Sequence, residues 1–152
     1  MSWVLLVLLL ASGKQKAPAA PPTAPSLSVK GTAVTLEIAN SDTLRSHGLS
    51  DRRSMEWNHG MLFVFPDEDR RTFWMIDCSF DLDVAFMDHL GIVRDIQAMP
   101  IQPGVAPEML QRYTSNTTRA MYALEMNRGW YSAHGVRVGD TLGGLTKWTT
   151  FR

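Results

Sequence analysis

Gly60-Met61-Leu62-Phe63-Val64-Phe65 is an unbroken apolar run closed by Pro66. Side chains of an extended strand point alternately to its two faces. Apolar residues at every position therefore describe a strand buried on both faces. Its neighbours in sequence carry a different signal. Val34, Leu36 and Ile38 alternate with Thr35 and Glu37, which is the pattern of a half-buried strand. Asn40-Ser41-Asp42 offers helix N-caps and Gly48 a stop, so a short helix is predicted over 43–47. Segments 72–76, 82–87, 92–99 and 120–126 read as further strands, with His89-Leu90-Gly91 as the turn between two of them. Pro100, Pro103, Gly104 and Pro107 make a rigid loop. A short helix over 128–134 ends at Gly135, and a closing edge strand is placed at 147–151. Seven or so short strands separated by turns predict an all-β fold: one antiparallel β-sandwich or barrel-like domain with short helical insertions.

The 152 residues amount to one domain. Residues 4–11 form an apolar stretch too short for a membrane-spanning helix, which needs about 20 residues. The stretch fits the core of a secretory signal, and Ala11-Ser12-Gly13 supplies the small residues of a cleavage site. Residues 1–13 are accordingly read as a signal-like leader, and 14–26 as a Pro/Ala-rich disordered tether. Residues 27–152 are the β-rich domain. Lys14 stands where a lipoprotein signal carries its lipid-accepting cysteine, so no lipid anchor is expected. The expected location is outside the cytoplasm: periplasm, cell envelope or secreted. Membrane contact is expected only through an uncleaved leader.

Lys+Arg and Asp+Glu are equal at 15 each. Nucleic-acid binders draw most of their affinity from a basic excess, so nucleic acid is not an expected partner. Cys78 is the only cysteine. No disulfide can form within the chain, and its apolar neighbourhood predicts a buried thiol.

Four elements, taken in order and spacing, resemble a known family. They are His47-Gly48-Leu49-Ser50-Asp51-Arg52; Gly60 to Phe65 followed by Phe73-Trp74-Met75; Leu82-Asp83-Val84-Ala85-Phe86; and Ala123 to Gly129 followed by His134 to Asp140. The set is similar to the family called domain of unknown function 192. The resemblance covers roughly 34–142 and implies a compact β-fold, often exported in bacteria, with no established activity. The chain departs from the family pattern at Ser50, at Ile76-Asp77-Cys78 and at Asp81. If the second of these segments bears a ligand in relatives, this protein binds a different one or none.

No motif specifies a reaction. There is no Gly-x-Ser-x-Gly elbow and no phosphate-cradling glycine loop. His47, His59, His89 and His134 are scattered without ligand spacing, so neither a metal nor a cofactor is expected. The methionines fall on strands, where core filler belongs. Asp83 and Glu125 are the notable acids, because each interrupts an apolar strand. Alternation sets Asp83 beside Ala85 and Met87, and Glu125 beside Ala123 and Met121. An unpaired buried charge is costly, and Arg52 or Arg53 is the expected partner. Trp57 is expected at the surface, and Trp74 in the core.

The leading expectation is a non-catalytic exported protein that binds a small polar ligand or an envelope protein partner. Its pocket would be drawn from Arg52, Trp57, Asp83 and Glu125. The alternatives are a hydrolase or isomerase with Asp83 and Glu125 as an acid/base pair, and a purely structural or assembly role.

Overall fold

The computed structural model describes residues 26–145. Its strands are β1 (Ser26–Val29), β2 (Thr32–Ala39), β3 (His59–Asp69), β4 (Thr72–Phe73), β5 (Leu82–Met87), β6 (Val93–Met99), β7 (Tyr113–Thr114) and β8 (Ala120–Asn127). Two short helices, α1 (Asp42–His47) and α2 (Trp130–Ala133), complete the set, with one 3-10 turn at Pro107–Met109. The strand placed at 147–151 lies outside the described residues.

Six strands form one sheet in the order β1-β2-β3-β8-β5-β6, and β4 pairs with β7 as a separate ribbon. The domain is mostly sheet, but the sheet is open and mixed. It does not close into a barrel, and β2 runs parallel to β3. The parallel pair corrects the all-antiparallel expectation. A two-residue hairpin can only reverse a strand; a parallel return needs a long crossover. The crossover here is α1 and the loop after it. Ser41 caps α1 through its hydroxyl, which accepts from the Leu44 N–H, and Gly48 ends it at φ 53°.

Alternation along the central strands builds two cores, one on each face. Leu62, Val64, Ala85, Met87, Tyr122, Leu124 and Met126 face one side, where Trp130 and Tyr131 of α2 cover them. Met61, Phe63, Val84, Phe86 and Ala123 face the other, covered by Leu49, Met75 and the ribbon's Phe73 and Tyr113. The run beginning at Gly60 is buried on both faces, as its composition requires. The strand does not stop at Pro66; it continues to Asp69 across a register shift between Val64 and Asp69. Such an irregularity tolerates a residue with no N–H to donate.

Candidate functional site

Strand register decides what the two buried acids can do together. Val84 pairs with Glu125, and Asp83 pairs with Met126. Paired residues share a face and neighbours in sequence do not. Asp83 therefore projects into the layer beneath α2, and Glu125 into the layer beneath the ribbon. A pair working on one substrate must face one space. The register does not bring these two together.

Asp83 is engaged. One carboxylate oxygen accepts the Gly129 N–H at 2.8 Å, at the entry to α2, and the other lies 3.3 Å from Arg128 Nε. Burial raises its pKa; the Gly129 bond and Arg128 work in the opposite direction. The partner is Arg128, not Arg52 or Arg53. Arg52 instead forks both nitrogens onto the Glu37 carboxylate, which His59 also contacts at 3.0 Å. Trp57 is 47% exposed, as expected, and its ring lies 6.4 Å from that of His134. His134 in turn stacks on buried Trp130 at 4.0 Å. The four residues singled out from sequence thus occupy separate places.

Glu125 stands apart from the other acids. It is 4% exposed, and among the described residues its carboxyl makes no hydrogen bond or ion pair. Burial alone pushes its pKa up to about 8. It lines a small cavity of about 30 Å³ with Gly48, Leu49, Ser50, Ile76 and Cys78. That volume is about one water's share of the liquid. Gly48 keeps the wall close to Phe63: a Cβ there would sit 3.4 Å from the ring, on a backbone with positive φ. Ser50 donates its hydroxyl to the Ile76 carbonyl at 3.1 Å, tying the segment after α1 to the segment after β4. Cys78 is half-buried rather than buried, and desolvation pushes its thiol up to about 11. It therefore has little thiolate character at neutral pH.

Beside this cavity lies an open groove of about 720 Å³, and Arg45, Ser46, Phe63, Phe73 and Trp74 line both. Its walls carry four arginines: Arg45, Arg70, Arg71 and Arg112. Arg45 donates to the Val64 carbonyl and to Asp42, and Arg71 to the Ala120 carbonyl and Asp67. Both lie over the Phe65 ring, at 5.4 Å and 4.2 Å from its centre. Arg112 lies over Trp74 at 3.5 Å. Among the described residues neither Arg112 nor Arg70 has an acidic partner. Trp74 is 37% exposed, which corrects the expectation of a core residue. Phe73 takes the inward position of β4, and the next side chain must face out.

Sequence reading missed the arginines because they come from three distant segments. The local trace was Arg70-Arg71 followed directly by Thr72-Phe73-Trp74. Among the described residues no group of three or more His, Cys, Asp or Glu is placed to hold an ion.

Comparison with known proteins places this geometry. The pattern of the DUF192 family, described as Uncharacterized ACR, matches residues 26–144. The chain belongs to this family. A solved structure of a protein from Sinorhizobium meliloti, described as a candidate transcription regulator, is 30% identical with a TM-score of 0.63. The match covers 76% of this chain and 87% of that one. A protein of unknown function from Novosphingobium aromaticivorans matches at 24% identity and a TM-score of 0.66, over 84% of this chain and 92% of that one; it speaks to the fold alone. Among curated proteins none matches the sequence.

Proposed function

We propose that this DUF192 domain is a non-catalytic binding module whose groove takes a small organic anion. One observation carries the reading. A chain with zero net charge gathers four arginines around one groove, and two of them lack an acidic partner among the described residues. Arg112, stacked on Trp74, is held in place while its N–H edge has no acidic partner among the described residues, a preorganised fork for carboxylate or phosphate, and Arg70 adds a second unpaired guanidinium. The volume is that of a small-molecule site. The ribbon β4–β7 lies over one face of the main sheet and forms the outer wall, which is the sandwich-like part of the fold. The acid/base alternative loses its support, since Asp83 and Glu125 face different layers. The description of the Sinorhizobium relative, carried over, would make the anion an effector. The location outside the cytoplasm is also part of this proposal, supported by the apolar stretch 4–11 and the small residues after it.

Calorimetric titration of the full chain with inorganic phosphate and pyrophosphate at low salt tests the reading. Binding is expected, and the double variant Arg70→Ala/Arg112→Ala should weaken it by about tenfold or more. Absence of binding, or equal binding by the double variant, would overturn it.

A further inference from the structure

The unpartnered Glu125 carboxyl beside the arginine groove has no role in holding the fold that its contacts disclose. A buried polar group normally finds a partner. Among the described residues Glu125 has none, although it is 4% exposed and lines a cavity. The partner that fits must be small, since the cavity holds about 30 Å³. The groove adjoins the cavity, and five residues line both. A ligand that spans groove and cavity with a cationic group, such as an ammonium, would lie beside Arg45, Arg70, Arg71 and Arg112, and they repel it. A second anionic group would face a carboxyl in a poorly solvated site. A neutral hydroxyl suffers neither penalty, and it can accept from a protonated carboxyl.

We propose that the groove is built for a hydroxyl-bearing organic anion, of the kind represented by sugar phosphates and sugar acids, with the acidic group on Arg70 and Arg112 and a hydroxyl on Glu125. The proposal rests on the anion-binding reading above and adds the second recognition point. Leu49, Phe63, Phe73 and Ile76 are the cavity's apolar walls; of its other polar groups, Arg45 and Ser50 already donate to the Val64 and Ile76 carbonyls, and Ser46 and His47 are exposed. The Glu125 carboxyl is the buried polar group of this lining that has no partner among the described residues, and it is the one a ligand hydroxyl would satisfy. Leaving such a group unpaired is costly, and that cost is what separates ligands with and without the hydroxyl.

The test is calorimetric titration of the full chain at pH 7 with four probes: glucose 6-phosphate, glucuronate, inorganic phosphate and glucose. At least one of the two hydroxylated anions is expected to bind about tenfold more tightly than phosphate or glucose. Which of them binds distinguishes a phosphate from a carboxylate source. Glu125→Leu should remove that advantage and leave phosphate binding unchanged, whereas Glu125→Gln, which keeps a donor, should stay within about threefold of the parent. Thermal melting of both variants checks that they fold. Should Glu125→Leu bind the hydroxylated anions as the parent does while Arg70→Ala/Arg112→Ala weakens them, the hydroxyl contact is wrong and anion binding stands. Should no anion bind, or glucose bind as tightly as the better of the two hydroxylated anions, both readings fall.

Discussion

Asp83 and Glu125 sit on adjacent strands, yet their side chains leave the sheet on opposite faces. They should respond oppositely to removal. Asp83 anchors the Gly129 N–H and Arg128 at the entry to α2. Asp83→Ala leaves that N–H without its acceptor and should cost about 1–3 kcal/mol. Glu125 holds nothing in place, so Glu125→Leu replaces an unpaired buried carboxyl by apolar volume. It should stabilise by about 1–3 kcal/mol. Denaturant unfolding of the two variants checks this, and a destabilised Glu125→Leu would show that the carboxyl is structural.

How far the sequence reaches is visible in these same two residues. That each acid breaks an apolar strand was legible, and so were its neighbours on its own strand. Which layer each strand face meets depends on the register of β5 against β8, a pairing between segments about 40 residues apart that no local pattern encodes. Strands with continuous apolar runs or clean alternation, such as β2, β3 and β5, were placed within a few residues because burial sets their pattern. The two-residue strands β4 and β7 are too short to carry a period. The parallel pairing of β2 with β3 was implicit in a helix between two strands, since such a crossover is how parallel neighbours are joined. The arginine groove draws on α1, the β3–β4 turn and the segment before β7, so only the folded chain assembles it.

Gly60 offers a test of how tightly the centre of the sheet is packed. A Cβ there would lie 2.4 Å from Met126 Sδ and 2.7 Å from the Glu125 carbonyl oxygen. The methionine can turn aside; the backbone oxygen cannot without disturbing the β3–β8 ladder. Gly60→Ala should destabilise by about 1–3 kcal/mol through overpacking. Chemical denaturation reads the loss, and a neutral substitution would mean that the two strands slide apart more freely than their register implies.

Arg52 belongs to a different cluster from the groove. Its guanidinium forks onto Glu37, and both side chains are about one-third exposed. Burial pushes the Glu37 carboxyl up, but Arg52 and His59 together outweigh it and hold the group below its ordinary range. At that exposure the pair is worth about 0–1 kcal/mol. Arg52→Ala should therefore shift the melting temperature by about 2–4 °C at most and leave anion affinity in the groove unchanged. A loss of affinity in Arg52→Ala, with folding intact, would move the site toward α1's far side.

The sharpest prediction concerns pH. Glu125 has an ordinary pKa of 4.5 and stands at about 8 in the folded chain, so between those values the folded state holds a proton that the unfolded state has released. Stability from this group is complete below pH 4.5, declines as pH rises, and is fully lost above about 8. The change is on the order of 5 kcal/mol at 1.36 kcal/mol per unit. Titratable or charged groups near Glu125 are Arg45 and His47 of α1 and Cys78 of the loop after β4, which line its cavity, and Tyr131 of α2, which feels its charge. These groups are unchanged in a variant at position 125, so a comparison isolates the carboxyl. Glu125→Gln carries no titrating group there. Its melting temperature should gain on the parent steadily from pH 5 to pH 8 and run parallel to it above pH 8. Parallel melting curves throughout would mean that the carboxyl ionises in place and is reached by water.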